Sequence, residues 1–331
     1  MYKIKDIRKK RILYITTKNT DYIRVTQETG ILKNQENEVT VAGSSDKSYL
    51  KRLLHVWKFL LKTDMEKYDM TFVGFAPQLV IPLFKRKLKK KTLIMDFFIS
   101  VYDTLVFDRK KFRPGGFIAG ILKRLDTFTI NAAEWVIADT RAHADYFCSE
   151  FGYPAEKTEV LYLEADRNIY YPRECVKPDK YQGKFVVLYF GSILPLQGIE
   201  VILDAAELLE NEDNLRIVVI GPVKCGKKAQ RITEYIDWLP QEELAEYISY
   251  ADLCLGGHFS SDINKAKRTI AGKTYIYTAM EKPVILGDNS ANRELFEESD
   301  KVHFVPMGDA EALARAILKE KQIYEKDCWY N

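Results

Sequence analysis

The chain has 331 residues, of which 47% are hydrophobic and 29% charged, with a net charge of +3. These figures exclude a disordered or fibrous chain, and the charge is too small to mark a nucleic-acid binder. The length exceeds a comfortable single domain, so two α/β domains are expected.

The opening stretch MYKIKDIRKKRILYITT is charged and lacks the apolar core and cleavage site of a signal peptide. No apolar run approaches the roughly 20 residues that a spanning helix needs, so a soluble or peripheral protein is expected. β-Branched runs at 11–16, 38–42, 70–74, 92–96, 135–139 and 158–162 read as strands. Helical segments at 48–63, 116–131 and 140–151 lie among them. Crossovers of that length predict a parallel, doubly wound sheet. The pattern restarts after the polar segment 171–183, which carries two prolines and no periodicity. Strands follow at 184–190, 215–221, 232–236, 253–256, 283–286 and 302–305, with helices at 199–209 and 241–250. The expected architecture is two Rossmann-like domains, 1–170 and 184–331, joined by 171–183 and facing each other across a cleft. Ligands then bind at the carboxyl ends of the strands.

Cys148, Cys175, Cys225, Cys254 and Cys328 stand far apart, odd in number and without a C-x-x-C pair. That pattern argues against a disulfide scaffold or zinc site and fits reduced thiols in the cytoplasm. Residues 221–227 match G-x-x-x-x-G-K, but Lys228 stands where a phosphate-cradling loop needs Ser or Thr for Mg²⁺. The segment reads as a solvated basic turn. No D-x-D carboxylate pair occurs, so no metal is expected, and a diphosphate must be met by cations and helix N-termini. Lys265, Lys267, Arg268 and Lys273 suit that task, lying between a strand end at Leu255-Gly256 and a helix that begins near Gly272.

Several segments, in fixed order, carry a family likeness. YFGSILPLQGIE (189–200) resembles the opening of the C-terminal domain in the family-4-like (group 1) retaining GT-B glycosyltransferases. The segments at 232–256 and 273–284 (KTYIYTAMEKPV), and GDNSANREL at 287–295, are similar to later motifs of that family. So are ISVYDTLVFDRKKF (99–112), VIADTRAHADYF (136–147) and YPAEKTEVLYLEAD (153–166), so the likeness spans nearly the whole chain. It implies a GT-B fold and metal-independent, retaining transfer from a UDP-, GDP- or similar sugar donor, with no cofactor. It also implies that Gly191 lets the backbone approach the donor phosphates and that Ile236-Asp237-Trp238 presents main-chain groups to the nucleobase. Lys265, Arg268 and Lys273 would neutralise the diphosphate, with Arg268 and Lys273 acting in catalysis. His258, beside the basic loop, is a further donor-site candidate.

The departures are informative. The family's paired glutamates fall on Arg268 and Ile276, and Ile276 cannot accept ribose hydrogen bonds. Its first-loop Arg and Lys fall on Ser192 and Gln197, leaving both as uncharged donor-site positions.

On the acceptor side, Asp96, Asp103, Asp108 and Arg109 follow the strand at 92–96. Asp96 and Asp103 are assigned to orienting the reacting groups. Residues 48–62 place Leu50, Leu53, Leu54, Trp57 and Leu61 on one helical stripe, with Lys51, Arg52, Lys58 and Lys62 around it. With the basic run 85–91, this reads as contact with a membrane surface. The expected partners are a nucleotide sugar and a glycan or lipid-linked saccharide, at the inner face of the membrane. Two other readings compete: a degenerate homologue serving as partner subunit or scaffold, and a sugar-nucleotide epimerase.

Overall fold

Six runs in the first half form β1 (Arg11–Ile15), β2 (Glu38–Ala42), β3 (Met70–Val73), β4 (Thr92–Asp96), β5 (Trp135–Ala138) and β6 (Thr158–Val160). All pair in parallel in the order β2-β1-β3-β4-β5-β6. The chain passes between them through α1 (Ile23–Asn34), α2 (Tyr49–Lys62), α3 (Ile81–Leu88), α4 (Phe117–Ile130) and α5 (Arg141–Phe151). The start of α5 shows how local chemistry sets these bounds. Thr140 accepts from the His143 N–H at 3.1 Å, and Gly152 ends the helix in the left-handed region at φ +65°. Helix α1 covers one face of the sheet through Val25 and Leu32. Helices α2 to α5 cover the other with Val56, Leu60, Ile81, Phe84 and Phe147. This computed structural model describes residues 3–222 and 231–330, apart from the side chains of 327–330.

The second sheet contains β7 (Phe185–Phe190), β8 (Leu215–Ile220), β9 (Thr233–Ile236), β10 (Leu253–Gly257), β11 (Val284–Gly287) and β12 (Val302–Val305). Its parallel order is β12-β11-β10-β7-β8-β9. The helices are α6 (Ile199–Leu208), α7 (Gln241–Tyr250), α8 (Gly272–Ala279), α9 (Ser290–Leu295) and α10 (Ala310–Tyr330). Helices α6 and α10 bury Ile202, Leu203, Leu313 and Ile317 on one face. Helices α7 and α8 bury Leu244, Ile248, Tyr277 and Met280 on the other. From β7 the strand order grows in one direction through β8 and in the other from β10. The ends of these two central neighbours therefore form the topological switch point, where doubly wound sheets bind ligands.

The chain divides into two compact units, Met1–Glu164 and Ala165–Asn331. Residues 171–183, expected as a joining segment, belong to the second. Tyr181 and the preceding Tyr170 are buried in its core with Val186 and Leu244, and Lys177 bonds Asp252 at 2.5 Å. Aromatic rings in a polar run still have an apolar body to bury. Helix α2 forms where expected, but its stripe divides. Leu53, Val56 and Leu60 face inward, whereas Leu50, Leu54 and Leu61 are exposed. Arg52, expected among the surface cations, is buried and donates to the carbonyls of Thr17 and Asp46.

Candidate donor site

Four residues meet at the switch point of the second sheet. Gly191 follows β7 at φ +145°, and Gly257 ends β10 at φ +84°. Lys273 reaches between them from the first turn of α8. A Cβ on Gly191 would lie 3.1 Å from Lys273 Nζ, and one on Gly257 would lie 2.9 Å from it. The backbone angles require glycine at both positions, and a Cβ there would push the ends of Lys273 and Gln197 aside. The Lys273 ammonium donates to Gln197 Oε1 and sits 4.4 Å from the centroid of the buried Tyr189 ring. Among the described residues no carboxylate forms an ion pair with it, and burial alone pushes its pKa from 10.5 down to about 7.

The basic loop is anchored beside this group. Nδ1 of His258 donates to the Thr269 carbonyl at 2.8 Å, closing the loop that carries Lys265 and Arg268. His258 is itself in the left-handed region at φ +57°, a strained position for a side chain of its size. Within the loop, Ile263 and Ala266 pack with Leu196 of the turn that carries Gln197. Phe259 N–H donates to the Gln197 carbonyl at 3.1 Å. Lys265 and Arg268 are half-buried on this support. Ile236 ends β9, two strands from β7. At about 4.8 Å per strand that is ~10 Å, a span suited to the distance between a phosphate and a base. Trp238 beyond it is 64% exposed, and Ser192 is exposed after Gly191.

Ile276, expected as a donor-facing position, belongs to the core cluster of Phe190, Ile220 and Tyr277. It lies one helical turn past Lys273, under the sheet rather than at its edge. The role of Gly257 was missed in the sequence, although a Gly-Gly-His run after a strand was its signal. Residues 223–227 of the G-x-x-x-x-G-K segment, with Lys228 after it, lie outside the described residues.

The acceptor-side candidates of the first unit fall in two settings, Asp96 at the end of β4 and Asp103, Asp108 and Arg109 on or beside one turn. Asp96 is buried in an ion pair with Arg24 of α1, at 3.0 and 3.2 Å, while Arg24 Nε is 3.2 Å from Glu28 Oε1. Arg24 also donates to the Leu161 carbonyl, and Tyr14 donates to Glu28 at 2.5 Å. Burial pushes the Glu28 and Asp96 carboxyls up, and the guanidinium pulls them back. Asp96 therefore fastens α1 to the sheet, which corrects its expected place at the reacting groups. Asp103 and Asp108 are buried on a π-helical turn (Asp103–Asp108), a feature frequent at functional sites. Arg109 lies 3.8 Å from Asp108. A residue not foreseen is Asp139, at the end of β5, which bonds His143 Nδ1 at 2.7 Å. Burial opposes its charge, yet His143 and Arg24 hold its carboxyl below the ordinary range. The i,i+4 spacing at a strand-to-helix junction was its signal in the sequence.

The sequence profile described as "Glycosyl transferases group 1" matches residues 184–320. Those residues are similar to a group 1 glycosyltransferase domain. The whole chain has the GT-B fold. HepE of Anabaena, solved with UDP, is similar at 16% identity and a TM-score of 0.65, covering 96% of this chain and 91% of that one. Sucrose-phosphate synthase from Thermosynechococcus elongatus is similar at 13% identity and a TM-score of 0.66, covering 93% and 89%. A Listeria monocytogenes protein named for UDP-N-acetylglucosamine 2-epimerase is similar at 13% and 0.56, covering 95% and 88%. A search of curated proteins found no match. In that domain, the switch point with Lys273 is the candidate donor site. Among the described residues, no helix is long and apolar enough to cross a membrane.

Proposed function

We propose that the protein is a retaining, metal-independent glycosyltransferase. It moves a sugar from a nucleoside diphosphate donor, such as a UDP-sugar, to a glycan or lipid-linked saccharide at the cytoplasmic side of a membrane. The observation that carries this reading is Lys273, a cation buried at the switch point with an amide oxygen as its polar partner and a pKa pushed down to about 7. Such a group gains most from a dianionic ligand, because the ligand's charge restores the protonation that burial opposes. Gly191 and Gly257 leave room for phosphate oxygens against the main chain, and Lys265 and Arg268 add charge from the adjoining loop. As the bond to the sugar breaks, negative charge grows on the leaving diphosphate, and these cations stabilise it in place. The solved relative bound to UDP supports the choice of base.

Calorimetric titration with UDP and GDP, with and without a chelator, tests the reading. Binding of at least one nucleotide that survives chelation and is lost in Lys273→Ala is expected. Failure of both to bind would refute it. Ile276, core-packed where the family places a ribose-binding glutamate, favours a second reading as a partner subunit. Nucleotide binding without turnover of any sugar donor supports that alternative. Interconversion of a sugar nucleotide without transfer, seen by NMR, would instead indicate an epimerase.

A further inference from the structure

The first unit carries an outward surface that does not suit water. On a helix packed against a sheet, the stripe facing away from the core is normally polar. Helix α4 breaks that rule. Its inward stripe is Ala119, Asp126, Thr129 and Ile130, yet Phe117, Ile121 and Phe128 are exposed on the opposite side, spaced i, i+4, i+11. Phe117 is 84% exposed. Two neighbouring helices share the feature. Leu50 and Leu61 of α2 are 63% and 71% exposed, and Leu83 of α3 is 62% exposed.

These helices form one face. All three pack their inner sides into the same core cluster on the same side of the sheet. Lys87 of α3 donates to the carbonyls of Leu60 and Leu61 at the end of α2. Lys85 of α3 lies 4.0 Å from the ring centroid of Phe128 on α4. Apolar side chains contiguous over three elements exceed what scattered surface hydrophobics explain.

Charge decides what covers the face. Helices α2, α3 and α4 carry four, three and two Lys or Arg residues respectively, of which Arg52 is buried and Lys123 pairs with Glu150 of α5 at 2.6 Å, and their single acid is Asp126. Asp126 is buried, accepting from Ser100, Gln78 and the Tyr102 N–H, so it does not offset that charge at the surface. Arg109, Lys110, Lys111 and Arg113, just before α4, are exposed and extend the basic field toward Phe117. A water-facing protein interface would mix signs. Apolar side chains ringed by cations of one sign match the layered chemistry of an anionic bilayer, acyl chains beneath phosphates.

We propose that the outer face of α2, α3 and α4 docks on an anionic lipid surface, with Phe117 and Ile121 inserted below the headgroups. In parallel βαβ units the helices run back against the strands, so the first turn of α4 lies at the carboxyl end of its own sheet. Docking there holds that edge close to the lipid headgroups. The inference stands whether or not the transfer reading holds, because it rests on residues of the first unit alone, whereas Lys273 belongs to the second.

Cosedimentation of the full chain with vesicles tests it, using phosphatidylcholine alone and phosphatidylcholine mixed with phosphatidylglycerol. The protein should pellet with the mixed vesicles and not with the neutral ones, and raising salt to about 1 M, where the Debye length is ~3 Å, should release most of it. The double variant Phe117→Ser/Ile121→Ser should partition about a hundredfold less, with an unchanged circular dichroism spectrum and unchanged UDP binding. Lys58→Glu/Arg124→Glu, which leaves the apolar side chains in place, should lower binding about tenfold or more. No binding to anionic vesicles, or equal binding by the parent and the serine variant, would overturn the proposal. So would a parent that is dimeric without lipid and monomeric in the serine variant, since a second copy would then cover the face.

Discussion

Replacing Lys273 by methionine should make the protein more stable and unable to hold its donor. In the unfolded chain this lysine titrates near 10.5, and in the fold burial lowers it to about 7. Below pH 7 the lysine is charged in both states, so the fold carries the whole cost of burying the ion. At about 1.4 kcal/mol per tenfold, that cost is about 5 kcal/mol, an order-of-magnitude figure. Methionine keeps most of the volume, but Gln197 Oε1 loses its donor, which costs about 1–3 kcal/mol. A net gain of roughly 2–4 kcal/mol remains, a rise of about 5–10 °C in melting temperature at pH 6. The advantage should shrink as pH rises from 7, because the folded lysine sheds its proton first, vanish between about pH 8.5 and 10 where the remaining burial cost equals the lost hydrogen bond, and reverse beyond. Thermal melts of both proteins across pH, with and without UDP, check each part. The parent should be stabilised by UDP and the variant should not. A variant that melts lower than its parent at pH 6, or that is stabilised equally by UDP, would refute the reasoning.

Three other outcomes follow from the same geometry. Gly257→Ala places a Cβ 2.6 Å from Gln197 Oε1 at φ +84°, so UDP affinity measured by calorimetry should fall at least about tenfold. Asp96→Ala leaves the buried Arg24 short of a counter-charge, so chemical denaturation should show a loss of about 3–5 kcal/mol while UDP affinity is unchanged. A stable Asp96→Ala protein that has lost only turnover would return this residue to the reacting groups. Ile276→Glu, which restores the family's glutamate, should destabilise the core by about 3 kcal/mol or more and gain no affinity for UDP. Tighter UDP binding at an unchanged melting temperature would show that the side chain reaches the donor after all.

Both sheets were legible because apolar β-branched runs announce buried parallel strands whatever they pack against. Helix α1 was harder to see, since two of its inward residues are Arg24 and Glu28 and break the apolar stripe. The same pair explains the misplacement of Asp96. An acidic residue at a strand end looks identical in sequence whether it faces a ligand or a buried guanidinium, and its partner here is 72 residues away. Ile276 was misplaced for a different reason. It stands three residues after Lys273, about 4.5 Å further along the axis. That distance takes it from the edge of the sheet onto its apolar face, with Phe190 and Ile220. Family position identified the helix, but depth along it decided which side chains reach the strand ends.

Arg24 and Lys273 are both buried, and the fold treats them in opposite ways. Arg24 is met by Asp96, Glu28 and a carbonyl, so its charge is balanced within the protein and its work is to hold α1. Lys273 is given one neutral oxygen and an aromatic face, although the chain has acidic residues enough to supply a carboxylate. A carboxylate there would raise stability by restoring the ammonium, but it would also repel any phosphate arriving between Gly191 and Gly257. Gln197 fixes the lysine's position without neutralising it, which is what an anion site requires of a neighbour. The uncharged residue at 197, which from sequence alone counted as a loss, is therefore consistent with a working donor site whose one deep cation is kept unbalanced for the ligand.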